Sequence, residues 1–158
     1  MTLDRMLDEL ARREIRFVLV GGFAALAHGS SYLTNDLDVC YDPAEENLLR
    51  LLELLSAWEA YPRGWEPGLP WILDLRTFRT TPMLTLRTRE GDIDLLDHVE
   101  GVGDYEACLS ASEPLTLGQR EVRLLSLDAL IAAKRAAGRP KDREHVIALE
   151  ALRALRNR

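Results

Sequence analysis

Residues 15–41 read IRFVLVGGFAALAHGSSYLTNDLDVCY, and this stretch decides the fold. Ile15–Val20 is a short apolar run rich in β-branched residues, which predicts a buried strand. Gly21-Gly22 ends the run, and residues 23–28 have the composition of a short helix. A second apolar strand is predicted at residues 37–41. The stretch therefore predicts a strand, a tight turn into a helix, and a second strand.

Two aspartates stand at the start of that second strand. Asp36 and Asp38 are two residues apart, so in a strand their side chains project from the same face. Adjacent carboxylates repel each other, and burying them without a partner costs free energy. Hard oxygen ligands in this arrangement suit Mg²⁺ or Mn²⁺, which complete their coordination shells with water and phosphate oxygens. The pair therefore predicts a metal site.

The same spacing occurs again at Asp92-Ile93-Asp94. Asp94 lies inside an apolar strand, where a carboxylate needs a partner. If this strand lies beside the first one, Asp94 becomes a third acid facing the same metal ions. Asp92 is the alternative, because it shares a face with Asp94. Asp92 is nearer the preceding turn and more exposed to water, and we therefore favour Asp94.

Gly21-Gly22 allows two interpretations. Glycine permits close approach of the backbone to a ligand, and the helix that follows offers free N–H groups to a phosphate. Alternatively, the pair is only a tight turn between strand and helix. The conjunction with the aspartates favours the phosphate interpretation.

The remaining sequence predicts one α/β domain over residues 1–158, without repeats or an internal linker. Asp42 is expected to cap a helix with Pro43 at its first position. Residues 61–71, rich in proline, glycine and aromatics, predict a loop that could cover the site. Further helices are expected at 3–13, 126–138 and 140–155, and strands within 76–89 and at 92–96, 113–117 and 122–125.

Composition and charge narrow the function classes. The formal net charge is −6, which disfavours a general nucleic-acid coat protein, although residues 120–158 are basic. The chain has no phosphate loop of the Gly-x-x-x-x-Gly-Lys type, no zinc spacing of cysteine and histidine, and no long apolar segment. We expect a cytoplasmic protein without a membrane segment, whose Cys40 and Cys108 are reduced and buried.

The residues Val20-Gly21-Gly22, then Asp36-Leu37-Asp38, then Asp94 resemble the signature of the DNA polymerase β-like nucleotidyltransferase superfamily. Within it the chain is most similar to minimal nucleotidyltransferases of toxin–antitoxin and abortive-infection (AbiEii-like) systems. Their Lys-bearing helix followed by Arg-Pro-Lys-Asp resembles residues 126–142. The resemblance implies a mixed central β-sheet flanked by helices, with helices at the C-terminus.

The resemblance also implies roles for individual residues. Asp36, Asp38 and Asp94 would be catalytic and would hold Mg²⁺ or Mn²⁺. Gly21 and Gly22 would approach the triphosphate of an NTP. The remaining candidates for nucleotide contacts are Ser31, Lys134, Arg139 and Lys141.

The expected reaction is transfer of an NMP from an NTP to a hydroxyl, with release of pyrophosphate. The acceptor could be a tRNA or a protein in a toxin–antitoxin setting with a cognate partner, or a small molecule of the aminoglycoside type. A non-catalytic member of a toxin–antitoxin pair is the alternative of another class. The retained acids disfavour it, because an inactive scaffold has no need of mutually repelling carboxylates.

Overall fold

The computed structural model describes residues 2–158. The helices in these residues are α1 (Thr2–Arg12), α2 (Gly21–Ala27), α3 (Glu45–Ala57), α4 (Leu75–Thr80), α5 (Tyr105–Ser110), α6 (Leu127–Ala137) and α7 (Pro140–Arg156). The strands are β1 (Phe17–Val20), β2 (Asp36–Tyr41), β3 (Tyr61–Pro62), β4 (Met83–Thr88), β5 (Gly91–Leu96), β6 (His98–Val99), β7 (Gly103–Asp104), β8 (Ser112–Leu117) and β9 (Arg120–Leu125).

Seven of these strands form one mixed sheet in the order β3-β4-β5-β2-β1-β9-β8. β2 pairs with β5 in parallel, and β1 pairs with β9 in parallel. The other neighbours in this sheet are antiparallel. The expected α/β architecture, a mixed sheet flanked by helices, is therefore confirmed.

Buried apolar residues lie on both faces of the central strands, since all four residues of β1 are buried. Leu37 and Ile93 have no exposed surface, and Leu10 of α1 is equally buried. Their neighbours along β2 and β5, the aspartates, point to the other face because side chains alternate along a strand. The four aspartates of β2 and β5 (Asp36, Asp38, Asp92 and Asp94) thus project from the same face of the sheet, which we call the acidic face.

Two boundaries differ from the sequence prediction. The helix expected at Pro43 begins at Glu45, because the side chain of Asp42 accepts a hydrogen bond from the N–H of Ala44 and holds a turn there. Helix α4 occupies part of the region predicted to be extended. Asp74 and Thr77 form a capping box at its start, and Phe78 is buried.

Most of the other predicted elements are present. Ser126 caps α6 by accepting a hydrogen bond from the N–H of Ala129, and Gly138 ends that helix in the left-handed conformation, as predicted. Cys40 and Cys108 are buried and do not form a disulfide. Within residues 2–158, none of the helices combines the length and the apolar character that a membrane span requires.

Candidate active site

The pairing of β2 with β5 brings the aspartates together. Asp36 lies opposite Asp92 and Asp38 opposite Asp94 in the register of the two parallel strands. One carboxylate oxygen from each of Asp36, Asp38 and Asp94 lies within 4.8 Å of the other two. The neighbour relation expected for the two acidic strands is thus observed, and these three carboxylates could hold a divalent cation.

Burial makes this cluster electrostatically costly. The side chain of Asp94 is only 8% exposed. Burial, together with a hydrogen bond with Asp94 and the charges of Asp94 and Asp36, raises the pKa of Asp38 to about 8. A hydrogen bond from the backbone N–H of Gly22 opposes this shift. The cluster therefore favours the binding of a cation.

Gly21 is required by the position of Asp38. Its φ is +69°, a conformation that residues with a side chain rarely adopt. A Cβ on Gly21 would lie 2.0 Å from a carboxylate oxygen of Asp38, and one on Gly22 would lie 2.9 Å from the hydroxyl of Thr34. The two glycines thus let the start of α2 pass directly over the acid pair.

A cavity of about 370 Å³ opens at this point. The residues that line it include three of the predicted acids and three predicted cations. The predicted site residues that line it are Asp36, Asp38, Asp94, Gly21, Gly22, Lys134, Arg139 and Lys141. A larger cavity of about 610 Å³ beside α1 contains none of them, and its acidic and basic side chains are balanced in number.

Asp142 holds two of the basic residues of the cavity, Lys134 and Arg139, in place. Its side chain is fully buried and accepts hydrogen bonds from Arg139 Nε at 2.6 Å and Lys134 Nζ at 3.4 Å. The hydrogen bond from Arg139 is the main cause that lowers the pKa of Asp142 to about 2. Sequence reasoning gave Asp142 no role of its own, although it occupies the third position of a helix that begins with proline, where a capping side chain is common.

Arg63 is the second residue that sequence reasoning missed. It follows β3, and its guanidinium reaches the acidic face. One terminal nitrogen lies 2.9 Å from Asp94 Oδ1, the other lies 3.7 Å from Asp36 Oδ2, and Nε lies 3.4 Å from Asp92 Oδ2. No local pattern could have indicated these contacts, because the partners lie about thirty residues away along the chain.

Two further candidates, Ser31 and Asp92, lie outside the close group of three carboxylates. Ser31 is exposed in the loop between α2 and β2 and is not among the residues that line the cavity. Asp92 is one-third exposed and belongs to the Arg63 contacts rather than to the close group of three carboxylates.

Comparisons with known proteins identify the family of the chain and its fold. The family model described as "Nucleotidyl transferase of unknown function (DUF2204)" matches residues 1–156. Curated protein sequences gave no match. One similar solved structure is the lincosamide antibiotic adenylyltransferase LnuA with lincomycin bound, at 13% identity and a TM-score of 0.61, with 96% of each chain covered.

Another is the solution structure of the antibiotic-resistance factor ANT(2'')-Ia, at 15% identity and a TM-score of 0.55. That comparison covers 99% of this chain and 89% of the other. At such identities the two structures establish the fold, and the family model, which covers nearly the whole chain, establishes the family. The chain belongs to the nucleotidyl transferase family that this model describes.

Proposed function

We propose that this nucleotidyl transferase uses Mg²⁺ or Mn²⁺, held by Asp36, Asp38 and Asp94, to move an NMP from an NTP to a hydroxyl acceptor. The observation that carries the proposal is one cavity with three converging carboxylates and a basic wall. Carboxylate oxygens are the ligands that these cations prefer, and cations suit a triphosphate.

In the reaction, the acceptor oxygen attacks the α-phosphorus while the bond to the β-phosphate breaks and pyrophosphate leaves. The hydroxyl proton passes to a carboxylate of the cluster. A bound divalent cation would neutralise phosphate charge and favour ionisation of the acceptor hydroxyl. The protein contributes position and charge: the acids fix the reacting end, and Lys134, Arg139 and Lys141 bind the phosphates.

The predicted phosphate contacts differ in their support. Lys134 and Arg139 line the cavity and are oriented by the buried carboxylate of Asp142. Gly21 and Gly22 line the same cavity, next to Asp38. A contact of Ser31 with the nucleotide has no support from the geometry of its exposed loop.

For the acceptor, we propose a tRNA end or a protein hydroxyl in a toxin–antitoxin system of the AbiEii-like type. The basic segment 120–158 supports a polyanionic acceptor. Part of its charge is neutralised by the rest of the chain, because Arg120 pairs with Asp8.

The second candidate is a small molecule bearing a hydroxyl group. The neutralisation of part of the basic segment favours a small-molecule acceptor over a polyanionic one. The chain is also similar, over nearly its full length, to two proteins named for antibiotic adenylylation or antibiotic resistance.

The test is a transfer assay with each labelled NTP, Mg²⁺, and one acceptor class at a time: total tRNA, a protein extract, or a panel of aminoglycosides and lincosamides. The proposal expects label on one class, with a loss of at least about 100-fold in Asp36→Asn and Asp38→Asn. Asp128→Asn, which changes an exposed carboxylate outside the cavity, is the matched control.

The outcomes separate the candidates. Label on tRNA or protein supports the toxin interpretation, and then growth arrest on expression should also depend on Asp36. Label on a small molecule alone supports the second candidate. Transfer that persists in both aspartate variants contradicts the proposed site.

A further inference from the structure

The Arg63 guanidinium lies against the acidic face formed by four aspartates of β2 and β5. It contacts Asp36, Asp92 and Asp94 at distances between 2.9 and 3.7 Å. The Arg63 side chain is 25% exposed, so its charge is only partly screened by water. Arg63 therefore supplies positive charge at the place where a metal ion is proposed.

The backbone of Arg63 is anchored independently of its side chain. Its N–H donates to the carbonyl of Thr85 at 2.9 Å, which extends the pairing of β3 with β4. The side chain extends past β4 to the acids of β5 and β2. One terminal nitrogen also donates to the carbonyl of Leu86 at 3.1 Å. Anchoring of this kind allows the guanidinium to move while the chain around it stays in place.

The contacts of Arg63 with the aspartates leave one of its N–H groups without a hydrogen bond. Arg63 Nε is buried and has no hydrogen-bond partner, although Asp92 Oδ2 lies 3.4 Å away. A buried donor left unpaired costs about 1–3 kcal/mol. The guanidinium is thus held by charge and by the hydrogen bonds of one terminal nitrogen, to Asp94 and to the carbonyl of Leu86, rather than by a saturated network.

We propose that Arg63 is a built-in counter-cation of the acid cluster, which a divalent cation displaces from Asp36 and Asp94 while Arg63 stays paired with Asp92. This inference rests on the proposed function, because it requires that the cluster bind metal. It gives Asp92 a separate role, as the anchor for Arg63 rather than a metal ligand. Metal binding and the position of Arg63 are then coupled, and each opposes the other.

The first experiment compares Mn²⁺ binding to metal-free wild type, Arg63→Met and Arg76→Met by calorimetry. Arg76 is a matched control, because it is exposed on α4, outside the sheet, and forms no ion pair within residues 2–158. We expect Arg63→Met to bind Mn²⁺ about 5- to 150-fold more tightly, the usual range of a coupling between two sites. Arg76→Met should stay within about threefold of wild type, because its exposed charge is screened by water and salt.

The second experiment measures thermal unfolding with EDTA and with saturating Mn²⁺. In EDTA, Arg63→Met should unfold at a lower temperature than wild type, because the acids lose their counter-charge. Saturating Mn²⁺ should remove this difference in unfolding temperature. Arg63→Lys, which keeps the charge, should recover most of the stability in EDTA.

The results distinguish this inference from the proposed function. If Asp36→Asn abolishes Mn²⁺ binding but Arg63→Met binds Mn²⁺ no more tightly than wild type, the counter-cation role is wrong and the metal site stands. If wild type does not bind Mn²⁺, both proposals are wrong.

Discussion

Asp38 and Gly21 illustrate how closely single residues constrain this site. The Asp38 carboxylate occupies the space that a side chain at residue 21 would need, and Gly21 has a positive φ. The glycine therefore serves two purposes: it permits the turn from β1 into α2, and it makes room for a proposed metal ligand. A change at this position should affect both stability and cation binding.

We expect Gly21→Ala to lower the free energy of unfolding by about 1–2 kcal/mol because of the left-handed backbone, and to weaken Mn²⁺ binding because Asp38 must move. Gly118→Ala is the matched control. Its φ is +61°, similar to +69° at Gly21, but a Cβ there meets no atom within 4 Å. Chemical denaturation and Mn²⁺ calorimetry measure the two effects. Equal Mn²⁺ affinity in both variants would contradict the proposed role of Asp38.

Asp142 allows a prediction about pH. Its pKa falls from 3.8 to about 2 in the folded protein. A depressed carboxylate pKa stabilises the fold above the unfolded value, and the stabilisation is lost as pH falls from about 4 to about 2. Asp142→Asn should therefore be less stable at pH 6, by about 1–2 kcal/mol, since the exposure of Arg139 reduces the full effect.

The difference between wild type and Asp142→Asn should close as the pH approaches 2, as measured by denaturation at a series of pH values. Asp128→Asn removes an exposed carboxylate from the same part of the fold and should show a small difference at pH 6. Asp142→Asn should also raise the KM for the NTP, because Lys134 and Arg139 lose the group that orients them. A pH-independent stability difference would contradict this account.

At the scale of elements, the sequence predicts what is local and leaves open what is not. The Asp36-x-Asp38 spacing indicates a shared face without any tertiary information. That Asp94 lies beside Asp38 depends on the parallel pairing of β2 with β5, whose strands are separated by α3, α4 and two further strands. The position of Arg63 depends on the same pairing and on the edge strand β3.

The short helices α4 and α5 were missed although each has a recognisable start. Asp74 caps α4 and Asp104 caps α5 by accepting a backbone hydrogen bond. Each helix is only six residues long, too short for a helical periodicity to outweigh the extended pattern around it. Tertiary burial of Phe78 and Tyr105 stabilises them, and this burial is not a property of the local sequence.

Asn47 shows how α3 is tied to the sheet. It is fully buried, accepts a hydrogen bond from the N–H of Arg16 at 2.8 Å and donates to the carbonyls of Arg16 and Asp42. Asn47→Ala would leave three backbone groups without these partners and should cost about 3 kcal/mol. Leu49→Ala, on the exposed side of the same helix, should cost about 0.5 kcal/mol or less. Denaturant unfolding measures both, and similar costs would contradict the role given to Asn47.

For the whole molecule, one cluster of buried residues draws on α1, α3, the central strands and α6. A core shared in this way supports the proposal that residues 1–158 form a single domain. We expect one cooperative unfolding transition, in which fluorescence and circular dichroism report the same midpoint. Two separated midpoints would contradict the single-domain proposal.

The distribution of charge connects this fold to ligand binding. Asp36, Asp38 and Asp94 line the cavity, and the buried Asp142 pairs with Lys134 and Arg139, which line it as well. We expect Mg²⁺ to compensate the charge of the acids and the triphosphate to compensate that of the cations, so together they should bind the folded state and not the unfolded one. At about 100 times Kd such a ligand adds about 2.7 kcal/mol, which raises Tm by roughly 5–10 °C for a chain of this size. Calorimetric scans with Mg²⁺ and a non-hydrolysable NTP test this expectation. An Asp36→Asn, Asp38→Asn double variant should lose the Mg²⁺-dependent part, whereas Asp128→Asn should keep it; stabilisation of equal size in both would place the nucleotide outside the acid cluster.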